Sequence, residues 1–236
     1  MYTCKPEQII NCPHNPTGWH PTVVEWGAIV AICEQHGIWL FSDEMYRHLE
    51  PANGERPTLP SAAESYSRGV TLSGLSKAYG LAGLRLGWLA SSNAGVIERC
   101  YELKDYTSIC AGTPNECLGL IALRAREALW ERCNGIVAAN LDLMDRFVQE
   151  RDEQLEWRRP LAGPVALPRL VNGGAAAHSA AALKEEGVML IPECEFGTAE
   201  ERAAMAAEGG GGRVRVGLGR VDFAEKLEAW GRVLDR

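Results

Sequence analysis

Long apolar runs are missing from this chain of 236 residues. No stretch approaches the ~18 apolar residues that a bilayer span needs, so a membrane is not an expected partner. The opening residues lack the charged-then-apolar pattern of a secretory signal. Positive charge is scarce: 24 Lys and Arg stand against 31 Asp and Glu, a net charge of −7. Nucleic acid is therefore not an expected partner either, because phosphate recognition depends on clustered Lys and Arg. The 8 cysteines form no C-x-x-C pair and no His–Cys cluster at zinc spacing. The expected setting is a reduced cytoplasm without a metal centre, with most thiols acting as small buried hydrophobes. Cys12 and Cys194 fall near the motifs below but are read as structural. Nothing repeats at a solenoid period.

What is present is an alternation of short apolar runs and amphipathic helices, the α/β signature. Ile9–Ile10 read as a strand end. Val23, Trp26, Val30 and Cys33 fall on one helical stripe from Thr22 to Gln35, with Gly37 as the stop. Ile38–Ser42 is nearly all apolar, as expected of a strand buried on both faces of a parallel sheet. Val70–Leu72 and Leu86–Ala90 read as further strands. Helices are expected from Asn93 to Tyr106, from about Pro114, and from about Gly135 to Gln154, the last as a hinge. Beyond it, Trp157–Leu170, Val188–Ile191 and Val214–Leu218 suggest a small sheet, packed by helices near 175–186 and 222–234. The glycine run 209–212 is expected to form a flap.

Five separated motifs carry chemistry: PHNPTG at 13–18, SDEMY at 42–46, SGLSK at 73–77, GLAGLRLG at 80–87 and RVGLG at 215–219. Each has a plain reading of its own. N-P-x-G is a good turn, an aspartate after a strand is a common helix cap, and a lone S-K pair is usually solvated. In this order, however, they supply an amide, a carboxylate, a phenol, an amine and two guanidinium groups. That order resembles the pyridoxal 5′-phosphate (PLP) enzymes of aminotransferase class I/II, the fold-type I family. The resemblance runs from about Gln8 to the C-terminus.

The resemblance implies a three-layer α/β large domain with a mostly parallel sheet, here incomplete, and a C-terminal α+β small domain, divided as 1–135 and 136–236. It implies that Lys77 forms a Schiff base with PLP and moves a proton at the substrate's Cα. Asp43 pairs with the pyridine nitrogen, while Asn15 and Tyr46 bond the ring oxygen. Arg85 clamps the phosphate, helped by Ser76 and Ser73. Gly74 occupies a position where the family often has a phosphate-binding serine. Arg215 is assigned the substrate carboxylate, although Arg213 and Arg220 flank it and Arg213 shares its strand face. His14 and His48 are read as structural.

The implied partners are an amino acid, a 2-oxo acid and a second copy of the chain in a homodimer. Family members carry a long N-terminal portion before the first motif. About four large-domain strands are therefore expected, with an exposed apolar sheet edge and impaired activity. Two other readings stay open: a relative that hydroxylates or cyclises arginine derivatives, whose SDEMYR and SGLSKAYGLAGLRLGW wording is also similar, and a non-catalytic remnant of the fold.

Overall fold

The apolar runs of the first half pair into one sheet. Its strands are β1 (Glu7–Asn11), β2 (Trp39–Asp43), β3 (Gly69–Gly74) and β4 (Gly87–Ala90), in the order β1-β2-β3-β4. The first three are parallel, and β4 returns antiparallel to β3. This is a computed structural model that describes residues 7–51, 56–207 and 211–236. The described chain separates into two compact units. One holds residues up to His14, Trp19–Asn134 and Leu161–Gly163; the other holds Asn15–Gly18, Gly135–Pro160 and Pro164–Arg236.

In the first unit the crossover helix α1 (Val23–His36) follows the expected stripe only in part. Its start is fixed by a capping box, in which Thr22 Oγ1 accepts from Glu25 N at 3.1 Å and Glu25 Oε2 accepts from Thr22 N at 2.7 Å. Its stop is Gly37, in the left-handed region at φ 61°. Trp26 and Cys33 are buried and Val30 is half-buried, but Val23, at the helix start, is exposed. β2 departs from its expectation in the same way. Leu40 and Ser42 are buried, whereas Trp39 and Phe41 are only half covered. The buried face packs on Trp26, Cys33, Leu59, Tyr66 and Ala62, the last in the one-turn helix α2 (Ala62–Ser65).

Helices α3 (Ala94–Asp105) and α4 (Thr113–Arg124) begin near the expected positions, α3 capped by Asn93 and α4 with proline in its first turn. The long helix α5 covers Arg126–Gln149, starting and ending earlier than read from the sequence. Gly135 does not begin it; a single glycine in a helix interior costs only about 1 kcal/mol, which the packing of Trp130 and Val137 on either side offsets.

The second unit builds on short strands: β5 (Leu155–Glu156), β6 (Val165–Ala166), β7 (Arg169–Leu170), β8 (Ile191–Pro192) and β9 (Val214–Gly217). Within the sheet segment expected over 157–170, Pro160, Pro164 and Pro168, which cannot donate to a ladder, leave only the short strands β6 and β7. β9 lies between β6 and β8. Helices α6 (Ala175–Glu186), α7 (Ala199–Ala207) and α8 (Phe223–Leu234) complete the unit. Its core gathers Met144, Leu155, Val214, Val216, Leu218, Leu227 and Trp230. The expected flap over 209–212 falls partly on 209–210, outside the described residues. Gly212 is anchored, its amide donating to Glu193 Oε1 at 2.6 Å.

Truncating Leu40 to Ala removes a fully buried side chain from under the sheet. We expect Leu40→Ala to lower unfolding free energy by about 2–5 kcal/mol, and Val24→Ala on the exposed helix face by less than about 0.5 kcal/mol, in urea titrations followed by Trp fluorescence.

Candidate functional site

The carboxyl ends of β1, β2 and β3 are held level by register. Asn11 pairs with Asp43, and Asp43 with Leu72. Around that line the backbone is tied closely. Cys12 N donates to Asp43 O at 3.1 Å, Asn11 Nδ2 donates to the same oxygen at 3.1 Å, and Glu44 N donates to Leu72 O at 2.8 Å. Ligands of open α/β sheets sit at this edge.

Asp43 leaves β2 half-buried. Its Oδ1 accepts from Met45 N at 3.1 Å, so it caps a turn at 45–48 rather than a helix. Among the described residues no cationic side chain forms an ion pair with it. Tyr46, in that turn, is buried against Leu49, Leu75, Ala78 and Tyr79. Gly163 backs the same place, where a Cβ would lie 3.8 Å from Tyr46 Cβ and 3.2 Å from Pro13 Cβ.

Ser73, Ser76, Lys77 and Arg85 lie on or beside one connection between two paired strands. Gly74 faces Gly87 across the β3–β4 ladder, and Leu75 N donates to Leu86 O at 3.0 Å. Residues 75–86 therefore form one loop at the carboxyl end of β3. Within it Leu75, Ala78 and Tyr79 turn inward, Ser76 is half-buried, and Lys77 is exposed. By its sequence neighbours, Leu72 and Leu75 before it and GLAGLRLG after it, Lys77 reads as a buried amine. The turn instead spends its inward positions on those neighbours and leaves Lys77 at the apex. Arg85 is also exposed. It has φ 52° after a one-turn 3-10 helix, Ala82–Leu84, and its Nη1 donates to Ala82 O at 3.2 Å.

Gly74 has a steric reason. A Cβ there would stand 2.8 Å from Leu86 O and 3.0 Å from Gly87 Cα. The strands approach too closely for the serine that the resemblance would place there.

In the second unit, Asn15 and Arg215 meet although they are 200 residues apart: Arg215 Nη1 donates to Asn15 Oδ1 at 3.2 Å. The Arg215 guanidinium also lies 5.5 Å from the Phe196 ring centre. Val214 and Val216 fill the core face of β9, which puts Arg215 on the opposite face. The two neighbouring arginines are engaged elsewhere: exposed Arg213 pairs with Glu193 at 3.4 Å and Arg220 with Asp222 at 3.2 Å. Asn140, missed in the sequence reading, holds this segment from α5. Its Nδ2 donates to Leu218 O at 2.8 Å and to Arg220 O at 2.7 Å. Gly18 ends the NPTG turn at φ 67°, where a Cβ would lie 2.2 Å from Pro160 Cβ.

Burial depresses the pKa of His14 and of His48, whose ring stacks on Trp130 at 3.7 Å. Cys12 is buried, and burial, reinforced by the nearby Glu44 carboxylate, pushes its thiol up to about 12. Among the described residues no group of His, Cys, Asp and Glu is placed to hold a metal ion, and no helix is long and apolar enough to cross a membrane. Sequence reasoning also passed over Glu44, buried beside Asp43. The only signal was its place in the D-E pair that closes β2.

Taken by class, this is an open-sheet α/β protein, with Asp43 at the carboxyl edge of its parallel strands and the 45–48 turn and 75–86 loop just beyond it. The aminotransferase class I and II family model matches residues 7–219, and the chain belongs to that family. Aromatic-amino-acid aminotransferase 2 of Thermococcus litoralis is 26% identical over 97% of this chain and 55% of its own length. A PLP-dependent aminotransferase structure from Streptococcus suis is 29% identical with a TM-score of 0.84, over 98% of this chain and 57% of that one. A PLP-dependent cyclase structure is 23% identical with a TM-score of 0.83, covering 96% and 58%, a likeness of fold alone. The chain thus spans about half the length of the relatives it matches.

Two outcomes follow from this geometry. Gly74→Ser should destabilise the first unit by about 1–3 kcal/mol, seen as a lower thermal midpoint. Iodoacetamide at pH 8 should modify exposed Cys110 and Cys117 in the folded chain and leave Cys12 intact until denaturant is added, as read by peptide mass mapping.

Proposed function

We propose that this chain carries the lysine-bearing part of a PLP-dependent aminotransferase and that its residues serve the transfer of an amino group between an amino acid and a 2-oxo acid. The observation that carries the reading is Asp43. A half-buried carboxylate at a strand exit, with no ion partner among the described residues, either reaches solvent or meets a cation, and a protonated pyridine nitrogen is one. The fit extends to Lys77, whose amine meets solvent and has no side-chain partner among the described residues, as an amine that must combine with an incoming aldehyde requires.

When bound, PLP supplies a ring that accepts the electron pair left at the substrate's α-carbon. The chain's residues do the rest. Asp43 keeps the ring nitrogen protonated. Tyr46 and Asn15 donate to the ring oxygen, the Asn15 amide being oriented by Arg215 on its oxygen side. Arg85, Ser76 and Ser73 hold the phosphate, Arg85 through a planar fork suited to paired oxygens. Lys77 is the covalent attachment point and, once released, the base that moves a proton at the substrate's α-carbon. Arg215 binds the substrate carboxylate. Its guanidinium is half-buried, so its hydrogen bonds to a carboxylate are stronger than those of its two exposed neighbours. The working protein is a cytoplasmic homodimer on this reading.

The test is borohydride reduction of the chain with PLP, followed by peptide mapping. Label on Lys77, abolished in Lys77→Ala, is the expected result. Label on Lys104 or Lys184 instead, or none in folded protein, would overturn the assignment and leave a non-catalytic remnant of the fold.

A further inference from the structure

Asp43 and Tyr46 are only as well placed as the turn that presents them, and that turn is held by a side chain with no role so far. Glu44 is buried between β2, β3 and α2. Its Oε1 accepts from Ala62 N at 2.9 Å and from Thr71 Oγ1 at 3.0 Å. The same Thr71 hydroxyl accepts from Ala63 N at 3.1 Å, so one carboxylate oxygen and one hydroxyl lock the start of α2 to two strands. The Glu44 backbone is committed as well: its amide donates to Leu72 O at 2.8 Å, and its carbonyl accepts from Arg47 N at 3.0 Å. Beyond the β2–β3 ladder, Glu44 thus adds side-chain links to β3 and α2 from the one residue between Asp43 and the 45–48 turn.

We propose that Glu44 is the positioning residue of this edge: by accepting hydrogen bonds from Ala62 and Thr71 it fixes the exit of β2, and so aims the Asp43 carboxylate and the Tyr46 phenol. Its functional meaning rests on the roles given above to Asp43 and Tyr46. The placement itself does not.

The holding contacts are made by Glu44 Oε1 as an acceptor. Its other oxygen, Oε2, is buried without a hydrogen-bond partner among the described residues, and the Arg47 Nε is 3.8 Å away. It lines a cavity of about 10 Å³ with Cys12, His20, Arg47 and Glu50. Burial raises the Glu44 pKa, and the hydrogen bonds from Ala62 and Thr71, with the Arg47 charge, only partly offset it. A raised carboxyl favours the fold below its ordinary range and loses that contribution as pH rises through the folded value. Ionisation is thus a cost at this position, and a neutral carbonyl serves as well.

Amide exchange in the full chain without cofactor tests this directly, because the Met45 amide donates to Asp43 Oδ1 and its protection reports where that carboxylate sits. Glu44→Ala should lose up to roughly tenfold protection at Met45 and Arg47, the scale of one or two hydrogen bonds, with α8 unchanged. Glu44→Gln, which keeps the accepting carbonyl, should stay within about twofold of the parent. Unchanged Met45 protection in Glu44→Ala overturns the proposal. So does equal loss in Glu44→Gln. Should Glu44→Ala unfold, Thr71→Val removes the hydroxyl alone. Loss confined to Met45 and Arg47 then supports the proposal, and no loss overturns it. With PLP, the Lys77 label should fall in Glu44→Ala and return in Glu44→Gln. A parent chain that takes no label sinks the cofactor reading, while the exchange result still decides the role of Glu44.

Discussion

Register between parallel strands is the constraint on which the first unit's site depends. In a parallel ladder a slip of one residue would turn every side chain to the opposite face. Here the pairing of Asn11 with Asp43 and of Asp43 with Leu72 brings three strands to one line. Everything chemical is then hung just beyond it: the 45–48 turn after β2, and the 75–86 loop after β3. The loop is closed from the far side by β4, whose return depends on two glycines facing each other at positions 74 and 87.

Two adjacent carboxylates divide the work at the β2 exit. Asp43 alternates to one side, half-buried, and gives one oxygen to its own turn. Glu44 alternates to the other, fully buried, and is consumed by the scaffold. Beneath them lies a second buried carboxylate, Glu50. Burial alone would raise its pKa, but the His20 ring at 3.7 Å and the Thr58 hydroxyl at 2.7 Å outweigh that, and the net shift is downward. Glu50 therefore supports the fold above the ordinary glutamate range and loses that support as pH falls through its folded value. Glu44 has the opposite pH preference, being unable to recover the cost of its own ionisation.

Elements with strong local signals were legible in the chain itself. Thr22, Asn93, Pro114 and Gly37 marked helix ends because caps are local chemistry. The α/β class was legible from the alternation of runs. What escaped was set by tertiary packing. Lys77 looked buried from its apolar neighbours, yet those neighbours took the inward positions of the turn. Phe41 looked buried from composition, but only one face of β2 is fully covered. Gly74 looked like a lost phosphate ligand, and the close approach of β4 that requires glycine there cannot be read from one strand. Glu44 and Asn140 were invisible because each acts on backbone groups far along the chain: Ala62 for the one, Leu218 and Arg220 for the other.

The central claim is that Asp43 supplies a half-buried negative charge to a protonated ring nitrogen. Nitrogen-15 magnetic resonance of ring-labelled PLP added to the chain reads that proton directly. The account predicts a pyridinium signal that persists well above the pH at which free PLP loses its ring proton, and that reverts to the neutral form in Asp43→Ala. A neutral ring nitrogen in the bound cofactor, or a pyridinium signal that survives Asp43→Ala, would contradict it.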